Sequence, residues 1–418
     1  MKKQIAAGAL CITLMLTALI SLPGCQTVKA ADLMKGIKAR DIAPITELSG
    51  DGDASCASFA VSLLQKSVSE YQNTLVSPLS VLCALAMTAN GADSETLRQM
   101  EQVFGLTIGE LNDYLHAYLS SLPSGSNYKL SIANSIWLND DKALTVGQDF
   151  LQTNADYYGA SVYKAAFDEK SLRDINDWVK EKTDGMIPSI LDSIPPDAVM
   201  YLINALAFDA QWADIYEESQ IVNEIFTTEA GNKRDAEMMY NQEGRYLEDD
   251  NATGFIKYYA DEKYAFAALL PNEGIPVKEY IASLTGETLM DTLRSAQHTS
   301  VNTAIPKFKH GYSAELSDIL KAMGISYAFD PSMADFTSLG RSESGNIFIS
   351  RVIHKTFIRV DEKGTMAGAA TAVEMKNTSA VIEEDMKTVY LNRPFVYMLI
   401  DTETNLPFFI GTMMDTAE

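Results

Sequence analysis

Residues 362–379 read EKGTMAGAATAVEMKNTS and lie between two apolar segments that are typical of buried strands, 347–360 and 395–400. The stretch has few turn-forming residues and is mostly Ala, Gly and Thr. Alternate positions from Thr365 to Met375 form one small, mostly apolar face, and the positions between them form a partly charged face. This period of two is that of a β-strand, whereas a connection of this length is usually functional or disordered. We therefore predict a loop that can become a strand.

The patterns around this stretch indicate one α+β domain. The chain has 418 residues, of which 47% are hydrophobic and 21% charged, as in globular proteins. Helical periodicity dominates the first half, including Ala54–Ser69, and strand patterns dominate the second half. The apolar run Met200–Trp212 is typical of a central strand covered on both faces, and a later helix is predicted over Ala314–Met323. No boundary separates these regions, so we predict a single domain over residues 51–418.

The net charge of −23 argues against two classes of partner. Nucleic acids and anionic membrane surfaces both require basic patches. The acidity either keeps an extracellular protein soluble or selects basic partners. We therefore expect no nucleic acid as a partner. We also expect a monomer.

The first residues have the pattern of an export signal. Lys2 and Lys3 precede an apolar stretch, 5–20, which is short for a transmembrane helix. The sequence LPGC that ends at Cys25 resembles a bacterial lipobox, with Leu22 three positions before the cysteine. This resemblance implies a lipoprotein signal peptide that is removed before Cys25.

Two outcomes of export remain open at this stage. In the first, residues 1–24 are the signal, Cys25 is a lipid anchor to the membrane, and residues 25–50 are a tether at the cell surface. In the second, an ordinary secretory signal is cleaved elsewhere, such as after Ala30 or Ala31, and the protein is extracellular.

Cysteine and histidine usage gives no sign of an enzyme. Four cysteines cannot form a disulfide framework in a chain of this length. Cys56 and Cys83 are predicted as buried free thiols in helices, and a bridge is the alternative. The four histidines do not have the spacing of metal ligands, and the chain contains no GxSxG, P-loop or dinucleotide motif. We expect no enzyme activity, no metal and no cofactor.

Several segments, in the same order along the chain, resemble the signature segments of the serpin family. They are NTLVSPLSVLCALAMTANG at 73–91, INDWVKEKTDGMI at 175–187, NALAF at 204–208 with Trp212, IPKF at 305–308, HKTFIRVDEKGTMAGAATA at 354–372, NRPF at 392–395 and PFFIG at 407–411. The resemblance runs from about Ala54 to the end of the chain. It implies the serpin fold, with three β-sheets, eight to nine helices and an exposed reactive-centre loop.

The family resemblance also implies an activity. A target serine protease attacks the loop and forms an acyl-enzyme, and the cut loop inserts into the main sheet, which traps the protease in a covalent complex. The inserted face must be small near the hinge, which Thr365, Ala367 and Ala369 satisfy. The rival interpretation is a non-inhibitory serpin that acts as a binding module; such members often carry bulky or proline residues in the hinge, and residues 364–371 have neither.

Site residues follow from the same resemblance. The hinge positions are Glu362, Gly364, Thr365, Ala367, Ala369 and Ala370. The positions under the opening strands and at the loop's entry point are Ser77, Ser80, Asn204, His354, Trp212 and Lys307. Glu362 is expected to pair with Lys307. Two alternatives remain open. His354 could be a core histidine whose hydrogen bonds are satisfied and which has no switching role, and Trp212 could be an ordinary core aromatic.

In the family spacing the hinge glutamate is the seventeenth residue before the reactive bond, which places that bond between Thr378 and Ser379. The bonds Lys376–Asn377 and Val381–Ile382 remain alternatives. A small, uncharged Thr378 suits elastase- or subtilisin-like proteases, whereas Lys376 would suit trypsin-like ones.

Two departures from the family pattern fall near the hinge. Met366 stands where the family usually has an acidic residue, and its side chain is expected to face outward after insertion. Asp209 and Ala210 replace the usual Lys-Gly before Trp212.

Overall fold

Three large sheets and the helices around them form the molecule in a computed structural model, which describes residues 30–42, 50–122, 128–140, 144–195, 197–365 and 386–417. The helices of these residues are α1 (Gly50–Ser67), α2 (Pro78–Ala89), α3 (Ser94–Phe104), α4 (Ile108–Ser121), α5 (Gln148–Tyr158), α6 (Glu169–Lys182), α7 (Val277–Ser283), α8 (Gly286–Arg294) and α9 (Ser317–Met323). The predicted α+β class is confirmed.

Sheet A has seven strands and carries the N-terminal side of the stretch that opened the sequence analysis. Its strands in spatial order are β1 (Ala31–Asp32), β5 (Ser161–Ala165), β3 (Tyr128–Asn139), β6 (Met200–Gln211), β16 (Gly364–Thr365), β15 (Arg351–Val360) and β13 (Phe308–Glu315). The apolar run predicted as a central strand is β6, which lies in the middle of this sheet.

Sheets B and C complete the core. Sheet B contains β2 (Thr74–Val76), β19 (Pro407–Met413), β18 (Phe395–Asp401), β11 (Tyr264–Pro271), β10 (Ala252–Tyr258) and β9 (Tyr246–Glu248) in that order. Sheet C contains β17 (Lys387–Tyr390), β12 (Val301–Pro306), β8 (Lys233–Glu243) and β7 (Ile221–Thr227). A two-stranded ladder joins β4 (Thr145–Val146) to β14 (Gly340–Arg341).

Helix α2 lies between sheets A and B, and its sequence explains why it forms there. Pro78 occupies the first helical turn, where its missing N–H costs nothing, and the Ser77 hydroxyl accepts a hydrogen bond from the Ser80 amide at 3.3 Å. Every residue of the helix is buried, and it contacts β3 and β6 on one side and β19 on the other. The helix therefore links the two sheets.

Some boundaries differ from the sequence predictions. Helix α1 begins at Gly50 rather than Ala54, and the predicted helix over Ala314–Met323 begins only at Ser317, because β13 continues to Glu315. Cys83 is buried and Cys56 half-buried, and both are free thiols. Burial raises the pKa of Cys83 to about 12, so its reactive thiolate is scarce at neutral pH.

Part of the predicted tether lies against the domain. Ala31 and Asp32 pair with β5 at the edge of sheet A, and the Arg40 guanidinium contacts the Asp156 carboxylate at 2.5 Å. Residues 30–42 therefore contact the body of the protein and do not stand apart from it. Among the residues that the structure describes, no helix is both long and apolar enough to cross a membrane.

Candidate functional site

The hinge enters sheet A as a short strand between β6 and β15. Gly364 and Thr365 of β16 pair antiparallel with Gln211 and Ala210 of β6, and Thr365 also pairs with Val360 of β15. Two residues of the predicted inserting strand are therefore already in the sheet.

Below this point β6 and β15 pair directly with each other. Their parallel register runs from Tyr201 opposite Arg351 to Leu206 opposite Thr356, which is six residue pairs. A strand that continued downward from β16 would have to separate these pairs. Strands β6 and β15 are therefore held apart by the hinge at one end of the sheet and pair directly with each other further along.

Gly364 is required by close approach of the β6 backbone. A Cβ at this position would lie 2.0 Å from the Ala210 carbonyl oxygen, a distance at which backbone must move. The departure from the family pattern at Ala210 thus lies directly against the hinge.

Three hydrogen bonds to backbone carbonyls hold the turn that precedes β16. The Trp212 amide donates to the Lys363 carbonyl at 2.9 Å, and the Tyr216 amide donates to the Glu362 carbonyl at 2.9 Å. The indole N–H of Trp212 donates to the Asp361 carbonyl at 2.9 Å. The segment after β6 therefore fixes the position at which the hinge leaves β15.

An aromatic pair covers Thr365, the second residue of β16. The Trp212 and Tyr259 rings stack with centroids 4.5 Å apart, and the Tyr259 hydroxyl lies 2.5 Å from the Thr365 hydroxyl. All three side chains are buried. Trp212 therefore contacts the hinge directly through its backbone and indole N–H groups, and indirectly through Tyr259.

Glu362 forms the ion pair expected from the family resemblance. Its carboxylate lies 3.0 Å from the Lys307 ammonium, which also lies 3.6 Å from Glu237 on sheet C. A hydrogen bond from its own backbone amide and the Lys307 contact keep the pKa of Glu362 below its usual range. The carboxylate is therefore ionised at neutral pH and ties the hinge to sheet C.

The buried polar residues under the opening strands form one connected network. The Ser77 amide donates to His354 Nε2 at 3.0 Å, and His354 Nδ1 contacts Asn204 Oδ1. The Asn204 amide group then donates to Asn134 Oδ1 at 2.8 Å, which also accepts from the Ser80 hydroxyl at 3.0 Å. The network joins β15, β6 and β3 to α2.

His354 is a neutral imidazole in this network. It is fully buried, and burial lowers its pKa to about 3. Because Nε2 accepts a hydrogen bond, the proton is on Nδ1, which donates to Asn204.

Sequence reasoning missed Asn134, Tyr216 and Tyr259 in this region, and also Glu243 and Lys257, which form an ion pair beside it at 2.8 Å. Two of them carried a readable signal. Asn134 is a polar residue within the apolar strand LSIANSIWL, and Lys257 is a single cation within the apolar strand GFIKYY. A polar group in a buried strand needs a partner, but the sequence does not identify which one.

Several predicted site residues lie outside the described part of the chain. They are Ala367, Ala369 and Ala370 of the hinge, Thr378 and Ser379 at the reactive bond, and the lipid-anchor position Cys25. Among the described residues, no three His, Cys, Asp or Glu side chains cluster as metal ligands would.

Comparisons with known sequences agree with this geometry. A family model described as Serpin (serine protease inhibitor) matches residues 54–416. An uncharacterised serpin-like protein of Thermococcus kodakarensis is 30% identical over 371 residues, covering 86% of this chain and 85% of that protein. The leukocyte elastase inhibitor of Homo sapiens is 28% identical over 355 residues, covering 81% of this chain and 92% of that protein.

Among solved structures, the native state of the thermophilic serpin tengpin is similar, with a TM-score of 0.89, 47% identity and coverage of 93% of this chain and 100% of that one. The latent state of tengpin has a lower TM-score of 0.78 at 45% identity, with coverage of 90% and 99%. With the family model covering most of its length, this chain belongs to the serpin family, and that membership supports a role as a protease inhibitor.

Proposed function

We propose that this protein inhibits serine proteases as a suicide substrate, and that these proteases attack the bond Thr378–Ser379. The observation that carries the proposal is β16, the two hinge residues seated between β6 and β15. They mark where a longer strand would enter. The higher TM-score to the native state of tengpin than to its latent state further supports a native-like form.

The chemistry is ordinary acyl transfer that stops halfway. The protease serine hydroxyl attacks the Thr378 carbonyl carbon, the peptide bond to Ser379 breaks, and the Ser379 amine leaves with a proton. The chain up to Thr378 is then esterified to the protease and is no longer connected to β17. Insertion of that part of the chain into sheet A moves the attached protease away from its docking position before water hydrolyses the ester.

Hydrogen bonds supply the driving force. An inserted strand pairs with β6 and β15 on both sides, so it replaces their six direct pairs and adds about a dozen bonds. At roughly 1 kcal/mol net for each bond, the gain is on the order of 10 kcal/mol, which equals the stability of many domains. The native state is therefore kinetically trapped until the segment is cut.

The test is complex formation with elastase and with subtilisin, followed by denaturing gel electrophoresis. We expect an SDS-stable complex and a released C-terminal peptide that begins at Ser379. A peptide that begins at Asn377 or Ile382 would move the reactive bond to one of the two alternatives. Clean cleavage without complex, across a broad protease panel, would favour the non-inhibitory binding module.

Ala367→Arg and Met366→Arg form a matched pair of variants. We expect Ala367→Arg to be cleaved without trapping, because a long charged side chain on the inward face cannot be buried during insertion. Met366→Arg adds the same side chain on the outward face and should still form the complex. Equal behaviour of the two variants in the gel assay would contradict the assignment of the inward face.

We also propose that the protein acts outside the cytoplasm, anchored through a lipid on Cys25. The lipobox-like sequence before Cys25 supports this. Partitioning into Triton X-114 detergent tests it, because the wild-type protein should enter the detergent phase and Cys25→Ser should not. Wild-type protein in the aqueous phase, with an N-terminus near Ala31, would support the ordinary secretory signal instead.

A further inference from the structure

An ion pair is buried beside the hinge. The Lys257 ammonium lies 2.8 Å from the Glu243 carboxylate, and the two side chains are only 1% and 10% exposed. An exposed ion pair such as Lys321–Asp318, at 44% and 90%, is a clear contrast. Replacement of a buried ion pair by apolar residues of similar volume often leaves the stability of a protein unchanged or increases it. The presence of the buried pair therefore calls for an explanation other than stability.

The pair lies where the three large sheets meet. Glu243 is the last residue of β8 in sheet C, and Lys257 belongs to β10 in sheet B. Trp212 directly follows β6 of sheet A and forms a bridge to Tyr259, directly after β10. The junction therefore lies next to the point where the hinge enters sheet A, since Gln211 pairs with Gly364.

The ammonium also contacts the two residues that hold the hinge. Lys257 Nζ lies 5.5 Å from the centre of the Trp212 ring and 4.6 Å from that of the Tyr216 ring, both within the range of a cation–π interaction. The backbone amides of Trp212 and Tyr216 are those that bind the Lys363 and Glu362 carbonyls. One buried cation is therefore shared by both anchors of the hinge.

Glu243 orients this cation. An ammonium on a flexible four-carbon chain has no fixed direction of its own. The carboxylate at 2.8 Å fixes it, and the Asn241 amide contacts the same carboxylate oxygen at 3.3 Å. An apolar side chain in place of Lys257 would fill the space without attracting either ring.

We propose that Lys257, oriented by Glu243, is a positioning residue for loop insertion, which keeps Trp212 and Tyr216 in the geometry that receives the hinge. This inference rests on the proposed inhibitory function. After acylation, insertion competes with hydrolysis of the ester. Loss of the shared cation slows insertion, so a larger share of the molecules is cleaved without trapping the protease, while the initial encounter is unchanged.

The double variant Lys257→Met/Glu243→Gln removes both charges and leaves neither alone in the interior. We expect the intact variant to unfold at the wild-type temperature or above. The stoichiometry of inhibition, the number of inhibitor molecules consumed per trapped protease, should rise at least threefold, and the association rate constant should stay within twofold. An unchanged stoichiometry in a folded variant would refute the proposal.

Two further variants separate positioning from packing. Lys257→Arg keeps the charge and should stay nearer to the wild-type stoichiometry than the double variant. Lys321→Met removes a lysine with the same two kinds of contact elsewhere, to Asp318 at 3.0 Å and to the Phe329 ring at 5.5 Å, and should change nothing. If the double variant does not fold, Glu243→Asp, which retracts the carboxylate by one methylene, should raise the stoichiometry by a smaller factor, and no rise would again refute the proposal.

A second measurement needs no protease. A synthetic peptide with the sequence of residues 364–375 is incubated with the intact protein, and its incorporation into sheet A is followed by native gel electrophoresis. We expect incorporation at least threefold slower in the double variant than in the wild type, and equal rates would refute the role of Lys257. Incorporation without any protease complex would refute the inhibitory function alone, and no incorporation into the wild type would refute both.

Discussion

Gly364 shows how one missing side chain determines where the hinge sits. Its φ angle is ordinary, so the glycine is required by space and not by backbone conformation, since the Ala210 carbonyl oxygen occupies the position where a Cβ would lie. The family resemblance identified the residue, but only the register of β16 against β6 explains it.

Gly364→Ala should displace β16 from the sheet and slow the first step of insertion. We expect a stoichiometry of inhibition several times that of the wild type, measured by titrating active protease with the variant. Gly109→Ala is the control, because Gly109 lies in α4 with no atom within 4 Å of its added Cβ, and alanine favours a helix. A wild-type stoichiometry in Gly364→Ala would contradict this prediction, because it would mean that the β6 backbone can shift to accept the added Cβ without slowing insertion.

At the scale of elements, the network of His354 joins β15 to α2 through Ser77 and to β6 through Asn204. These are the elements that must part if the sheet opens. Part of this network could be predicted from sequence, because the resemblance named four of its five members. Asn134 could not, since its partners come from α2 and β6, far away in the chain, and are fixed only by the β3–β6 register.

The buried His354 should make stability depend on pH in a defined direction. Its pKa is lowered in the folded state to about 3, against roughly 6.5 when unfolded. Below pH 6.5 only the unfolded state binds this proton, so the free energy of unfolding falls by about 1.4 kcal/mol per pH unit down to about pH 3. The contribution is fully present above pH 6.5.

Urea unfolding at pH 7.5 and pH 5.0 measures this dependence. Between these values His354 should account for a loss of about 2 kcal/mol. His354→Gln should lack that share of the loss, whereas His298→Gln, at an exposed histidine, should retain it. Equal pH dependence in wild type and His354→Gln would assign the acid sensitivity to other groups.

At the scale of the whole molecule, the patterns of helices and strands predicted one α+β domain, and the fold itself came from a family resemblance. That resemblance could be recognised because its motifs are local and in order: the capped start of α2, the apolar β6 and the closing strands β18 and β19. The junction around Lys257 did not follow. Its members come from three different sheets, and no spacing along the chain reveals that Glu243 and Lys257 meet against Trp212.

Cleavage of the segment should stabilise the whole protein. A gain on the order of 10 kcal/mol, at an unfolding entropy of roughly 0.8 kcal/mol per degree for a domain of this length, corresponds to a rise of about 10–15 °C in the unfolding temperature. Differential scanning calorimetry of intact and protease-cut protein measures it. Cut Ala367→Arg should show little rise, and a wild-type protein with equal temperatures before and after cleavage would exclude insertion.

The chain is held in a sheet after residues 366–385 as well as before them. After residue 385 the chain enters β17, which pairs with β12 through four residues, from Lys387 opposite Val301 to Tyr390 opposite Ala304. An uncut chain would have to detach β17 before the segment could fully enter sheet A, whereas a cut chain would not. Since a cut cannot be undone, each molecule could serve only once. The number of copies present, more than the affinity of any one copy, would then set how much protease is removed.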